Sequence, residues 1–412
     1  MTSCFLPANI LLPNKNIDMK KWAVIACDQY TSQPEYWEEV KEFVGASEST
    51  LNLIYPEAFL EENNSKTDSI CKCMKDYLRK GIINEDILNC FILVERQVNQ
   101  GIRTGLIGVI DLEQYDYNIG SEKLIRATEG TVLSRIPPRV AIRSNAVLEC
   151  PHVMVLIDDP KKKLIEPVVA QKAHLRKLYD FDLMFGGGNI KGSAIEGEMA
   201  ISLISTISKM QKESNNFFLA VGDGNHSLAT AKTCWDKIKS NLTKEEMSNH
   251  PARFSMVEVI NLHDPSLLFE PIHRIIYNCE SDSFLEAFNK FILNNGLTTT
   301  PGDQVAFIDS SGTIGAFSIN GLGNLLPIDI IQRFLDLFAT ENEAQIDYIH
   351  GDTHVMNLVK NKKAVGILLN SIDKHSLFPA IEAGGVLPRK TFSIGEADEK
   401  KFYVECRKIT IE

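Results

Sequence analysis

The sequence predicts an α/β fold of mixed α+β character, and three patterns carry that expectation. Apolar runs short enough for strands alternate with segments whose apolar residues recur at helical spacing. Residues 91–98 and 104–112 are two such runs around a turn at Gly101, which makes a β-hairpin. Residues 217–232 read as a buried strand reaching Val221, a polar glycine turn, and the start of a helix on which Leu228, Ala231, Trp235 and Ile238 share a face.

Taken in order, residues 22–27 form a buried strand that ends at Asp28. Pro34 opens an amphipathic helix, with Ser32 as its cap and acidic residues in its first turn. A second helix covers 66–90, ahead of the hairpin. Arg135, Arg139 and Arg143 then follow with no acid between 130 and 148. That cluster reads either as a solvated helix face or as a means of neutralising an anion. A strand covers 152–157, a glycine-rich connector 185–192, and an amphipathic helix 198–210. Beyond the turn, residues 254–260 alternate as a strand, and His273 and Arg274 interrupt the apolar run 269–276, where they need partners if buried. An Asn-, Thr- and Gly-rich link after a helix within 280–305 suggests a boundary. The expected parts are an N-terminal α/β part (1–150), a core holding the turn (151–279), and a C-terminal α/β part (280–412) that packs back on the core and closes on a strand at 402–406.

With 43 Lys and Arg against 54 Asp and Glu, the net charge of −11 has the wrong sign for covering nucleic-acid phosphates. The nine cysteines make no CxxC pair and no regular framework, which fits reduced thiols of a cytoplasmic protein. No apolar run reaches the ~18 residues of a membrane span, and residues 1–13 do not read as a signal peptide. The expected partner is a small molecule, with neither nucleic acid nor membrane; a homo-oligomer stays open.

The turn is where chemistry is expected. Gly222 and Gly224 expose backbone on either side of Asp223, and the helix start behind them offers N–H groups and the positive end of a dipole. That arrangement suits phosphate. The plainer reading is a capped turn, with Asp223, Asn225 or Ser227 as the cap. His226 adds a titratable group at the helix start. Asp28, at the C-terminal edge of a strand, is a candidate carboxylate or a turn residue. His350 and His354 lie four apart around Asp352, but Gly351 and the lack of an HExxH pattern favour a turn beside a strand over a metal site.

Gly222-Asp223-Gly224-Asn225-His226-Ser227 resembles the DGHHR signature of the domain-of-unknown-function 1015 family. Pro271-Ile272-His273-Arg274 resembles that family's P-T-H-R segment. Gly105-Leu106-Ile107-Gly108 ahead of Tyr115, Arg126-Ala127-Thr128-Glu129-Gly130-Thr131, and Leu387-Pro388-Arg389-Lys390-Thr391-Phe392 stand in the family's order, so the resemblance spans nearly the whole chain. The family is in turn similar to the ParB/sulfiredoxin superfamily, whose members bind nucleotides on a related turn and whose free serine kinases phosphorylate L-serine. The resemblance implies a ParB/sulfiredoxin-like nucleotide-binding core with additional α/β segments. It implies ATP or ADP with Mg²⁺, and phosphotransfer in serine or phosphoserine metabolism, kinase-like or phosphatase-like. Asp223, His226 and Glu129 become the catalytic candidates, with Asp28 added on its own position. Gly222, Gly224, Asn225, Ser227, Arg126, His273, Arg274 and Lys390 become the lining of the phosphate and cofactor site. The chain departs from the pattern at Asn225, Ser227 and Thr128, where the family has His, Arg and His. Arg274, Lys390 or the cluster at 135–143 would restore the charge lost at 227, or the ligand is less anionic. A ParB-like nucleotide-binding regulator, which needs a basic face, and a non-catalytic binding protein are the alternatives.

Overall fold

The largest sheet grows outward from the expected hairpin. Its strands β1 (Ile83–Val98) and β2 (Gly101–Asp111) carry Ile, Leu and Val on both faces, and those side chains are buried through the middle of each strand. The computed structural model describes residues 3–31, 33–59, 66–130, 136–323, 325–360 and 363–411. Ser32, Thr131 and Arg135, expected as a cap, a motif residue and a member of the basic cluster, lie outside the described residues.

Seven further strands complete the path of this sheet: β3 (Tyr115–Asp116), β4 (Ile125–Ala127), β5 (Met154–Ile157), β6 (Arg176–Asp182), β7 (Asn189–Ile195), β8 (Leu219–Asp223) and β9 (Phe254–Asn261). They lie in the order β3-β4-β8-β5-β9-β2-β1-β7-β6. β8 runs parallel to β4 and antiparallel to β5, and β9 runs parallel to β5, so the sheet is mixed. One face is covered by α1 (Pro34–Val44), α2 (Lys66–Arg79) and the extended residues around Val24 and Tyr403, in a cluster with Trp22, Trp37 and Ile107. The other is covered by α4 (Gly197–Glu213) and α5 (Asn225–Lys239), whose Leu203, Ile207, Leu228 and Trp235 pack on Val155 and Val257. Between them in the chain, α3 (Ile136–Arg143) packs on α5.

The contacts divide the chain into two units rather than at 150 and 279: Met1–Leu267 with Gly395–Glu412, and Leu268–Ile394. In the second unit β10 (Phe269–Tyr277) is followed by α6 (Ser281–Asn294), β11 (Thr298–Asp309), β12 (Gly312–Asn320), α7 (Pro327–Asn342), β13 (Gln345–His350), α8 (Asp352–Val359), β14 (Ala364–Leu369) and β15 (Phe392–Ile394). The sheet order is β12-β11-β14-β10-β13, with β15 on β10. Its core is aromatic: Phe284, Phe288, Phe307, Phe317 and Phe334 meet edge to face or tilted. The boundary expected within 280–305 is instead α6 and the first arm of β11, inside this unit. The polar residues that suggested a link are exposed, and those at 298–301 pair with β12.

Four local expectations change. The helix expected over 66–90 stops at Arg79, because Gly81 takes a left-handed φ of +64° and the β-branched run behind it enters β1. Residues 23–26 are buried and extended but make only a single bridge, Ile25 to Phe402, and residues 402–406 are likewise joined by bridges rather than by a ladder. The connector expected over 185–192 is half strand, since Asn189 opens β7.

Candidate functional site

The turn at 222–227 is built by a bulge. Val221 pairs with Val155 and Asp223 with Met154, so Gly222 is the extra residue between them. That offset puts Asp223 on the sheet face of Met154, and Met154 pairs in turn with Glu258 of β9. Gly224 then takes φ +80°, and a Cβ there would lie 3.1 Å from Val153 Cα. Only glycine fits both the conformation and the gap. Gly224 is the N-cap of α5, and among the described residues no side-chain cap bond forms there, so the expectation of a cap from Asp223, Asn225 or Ser227 is not met. Asp223 Oδ1 instead accepts from the Gly224 N–H at 2.9 Å. Asn225 is 9% exposed, and its Oδ1 is buried with no hydrogen-bond partner among the described residues. His226 and Ser227 are half-buried in the first turn of α5. The first-turn N–H groups and the dipole of a 15-residue helix therefore open beside an unmatched buried polar group.

The cation at the turn is one the sequence reading did not single out. Lys400, 5% exposed, places Nζ 3.3 Å from Asp223 Oδ2. Its neighbour Lys401, 4% exposed, reaches Glu258 Oε2 at 2.9 Å and Glu405 Oε2 at 3.5 Å. Two consecutive lysines ahead of an apolar strand pattern were the available signal. Burial alone would raise the Glu258 carboxyl, but Lys401, Arg103 and Arg96 bring it below its ordinary value. Burial would lower the Lys401 amine, and Glu258 with Glu405 hold it above its ordinary value. Arg96 and Arg103 donate to the carbonyls of Asp398 and Glu399 at 3.0 Å each, which clamps the approach to Lys400.

Asp28 belongs to a second polar chain of the same unit. His152, 6% exposed, has Nε2 3.7 Å from Asp28 Oδ2, and its Nδ1 lies 2.8 Å from the Tyr403 hydroxyl. That hydroxyl also accepts from the Cys27 N–H at 3.0 Å. The imidazole turns Nε2 towards Asp28. His152 immediately precedes Val153, the residue that meets Gly224, so the Asp28 and Asp223 neighbourhoods adjoin. His152 and Tyr403 are site candidates that the sequence reading passed over as strand residues.

Thr128 Oγ1 donates to the Val221 carbonyl at 2.6 Å, and β4 pairs Ala127 with Val221. Glu129 is therefore held level with the turn. Arg126 is not: its guanidinium donates to the Lys123 and Asn216 carbonyls at 2.9 and 3.1 Å and lies over Phe217, at the opposite end of β8. The expected basic cluster is met by acids from elsewhere in the chain, Arg139 by Glu57 and Arg143 by Glu149 at 2.6 Å. Glu57 is distant in sequence and Glu149 stands just past the 130–148 window, which is why the cluster looked uncompensated.

His273, Arg274 and Lys390 belong to the second unit. His273 is 2% exposed, accepts from the Leu369 N–H at 3.2 Å through Nδ1, and pairs with Asp352 Oδ1 at 2.6 Å through Nε2. Burial lowers its basicity, while Asp352 opposes that shift. Arg274 is fully buried; it donates to Gln332 Oε1 at 3.2 Å, to the Arg389 carbonyl at 3.1 Å and to the Ile272 carbonyl. These are the partners that an Arg inside an apolar strand requires. Lys390 is exposed, with φ +56°. His354 turns Nδ1 to the His350 carbonyl at 3.0 Å, and among the described residues no three His, Cys, Asp or Glu gather as a metal cage. No helix among them is long and apolar enough to cross a membrane.

Residues 11–377 match the family described as "Protein of unknown function (DUF1015)", and the chain belongs to that family. No curated protein matches it. Among solved structures it is similar to a free serine kinase in complex with AMP, at 10% identity and a TM-score of 0.40, over 73% of this chain and 90% of that one. It is similar to a conserved hypothetical protein from Pyrococcus furiosus, at 10% identity and a TM-score of 0.37, over 73% of this chain and 94% of that one. A third likeness is to SbnI with a C-terminal truncation from Staphylococcus aureus, at 7% identity and a TM-score of 0.39, over 74% of this chain and 87% of that one.

Proposed function

We propose that this DUF1015 protein is a small-molecule phosphotransfer enzyme that binds phosphate at the 222–227 turn, with serine or phosphoserine as its substrate. One observation carries the reading: an uncapped helix start, reached through a bulge and a left-handed glycine, opens beside the orphaned Asn225 Oδ1 and the Lys400–Asp223 pair. Phosphoryl transfer asks a protein chiefly for positioning and charge stabilisation. Backbone N–H groups of α5 and Lys400 are suited to the second task. Asn225 and His226 are suited to orienting a phosphate or its ester oxygen. Asp28 is the general base in this reading, with His152 Nε2 facing it and Tyr403 bonded to the other ring nitrogen.

ATP or ADP is the proposed phosphate donor or acceptor, and the Asn225 oxygen fits a ligand that brings hydrogen-bond donors, such as an amine or a hydroxyl. Mg²⁺ typically binds one or two carboxylates together with the phosphates it neutralises, which needs no protein-only cage. Glu129 is the half-buried carboxylate suited to it, since Asp223 already faces Lys400 and Asp28 serves as the base. When bound, the ion would add charge stabilisation at the phosphates.

The test is a thermal-shift screen of ATP, ADP, CTP, serine and phosphoserine, each with and without Mg²⁺. Wild type is compared with Asp223→Asn and His226→Ala. Stabilisation of wild type by a nucleotide, absent in both variants, is the expected result. No response to any phosphate compound would sink the phosphotransfer reading.

A further inference from the structure

We propose that Cys150 and Cys406 are a reversible oxidation site, joined as a cross-strand disulfide by a small-molecule disulfide oxidant such as oxidised glutathione. Residues Leu148 and Glu149 pair antiparallel with Lys408 and Arg407, so the next residues along, Cys150 and Cys406, stand opposite one another. Cys406 exchanges both of its backbone hydrogen bonds with Leu11, at 2.8 and 2.9 Å, on its other side. Cys150 and Cys406 are thus a non-hydrogen-bonded pair, the kind whose Cα atoms approach to about 4.5 Å with side chains close. That separation lies within the range a disulfide spans without backbone movement. The two sulfurs are already 3.2 Å apart.

The exposures order the chemistry. Cys150 is half-buried and reachable, while Cys406 is fully buried. The hydrogen bond to Cys150, together with burial, keeps the Cys406 thiol protonated, so Cys150 reacts first. The Cys150 thiolate attacks one sulfur of oxidised glutathione, forming a mixed disulfide and releasing one glutathione thiolate. Cys406 then attacks the Cys150 sulfur and releases the second glutathione, and its proton leaves with that thiol. The two protein sulfurs lose two electrons and the oxidant gains them. The product closes the chain from 150 to 406 and fixes the segment that carries Lys400 and Tyr403.

The experiment uses the full chain, equilibrated in mixtures of reduced and oxidised glutathione, trapped with maleimide and mapped by peptide mass spectrometry. The expected result is a cross-linked peptide joining 150 to 406 and a melting midpoint raised by roughly 5 °C or more, as closing a long loop predicts. Dithiothreitol should reverse both changes. Cys150→Ser should lose both, and Cys73→Ser should keep both; neither variant replaces the buried Cys406. Cys73 packs against the same core cluster as Cys150 and is the competing thiol. A Cys73–Cys150 bond, or a Cys150 that stays maleimide-reactive in the most oxidising mixture, would overturn the proposal. Neither outcome depends on whether the protein transfers phosphate.

Discussion

Gly224 and Lys400 set the turn from opposite sides, and each makes a separate prediction. Gly224→Ala forces an L side chain into φ +80° with its Cβ against Val153. The cost is expected at about 1–3 kcal/mol, read from urea unfolding. Lys400→Met leaves the Asp223 carboxylate, 20% exposed, facing no ammonium. Stability should fall by roughly 1–3 kcal/mol, and Asp223→Asn in the same chain should recover part of that loss, because it removes the charge left behind. A double-mutant cycle with additive losses would mean that the two groups do not interact.

At the scale of elements, the face of the large sheet next to the turn carries ionised groups where periodicity would place aliphatic ones. Glu258 sits in β9 between Val257 and Val259, and it is held ionised by Lys401 from the closing segment. Its carboxyl is depressed below 4.5, so the stability it contributes is full above pH 4.5 and disappears as pH falls through the depressed value. The Lys401 amine is raised above 10.5, so its contribution is full below pH 10.5 and disappears as pH climbs through the raised value. Melting midpoints followed across pH should therefore form a plateau bounded by those two limits. Glu258→Gln should lower the midpoints on the plateau, for a stability loss of about 3–5 kcal/mol, and flatten its acid edge. An acid edge unchanged in that variant would assign acid sensitivity to other carboxylates. This face also explains what was legible beforehand. The hairpin, α4, β8, α5 and β9 announce themselves through local periodicity, and so did the turn, because glycines flank a polar residue between a strand and a helix. Lys400, His152 and Tyr403 did not, since each acquires its partner across long stretches of chain: His152 meets Tyr403 from 251 residues away. Arg139 misled for the same reason, as Glu57 lies 82 residues away, while the partner of Arg143, Glu149, stands just past the 130–148 window.

For the whole molecule, the division at 268 and 394 says how the chain is assembled. Phe269 pairs with Ile394 and Pro271 with Phe392, so the second unit starts and ends on two adjacent antiparallel strands. Phe269 and Phe392 stack at that base, with ring centroids 4.1 Å apart. A segment whose ends meet inside its own sheet can fold without the rest of the chain. This one also has its own core, in which Phe284, Phe307 and Phe334 are at most 2% exposed. Its ionised or polar interior groups, His273 with Asp352 and Arg274 with Gln332, are satisfied within it. Residues 268–394 expressed alone are therefore expected to unfold cooperatively on heating, with dispersed amide resonances beforehand. Phe284→Ala should cost that fragment about 3–5 kcal/mol, as deletion of a buried ring does. If the fragment is instead unfolded, its stability comes from the remainder of the chain, and the closed base at Phe269 and Ile394 does not define an independent folding unit.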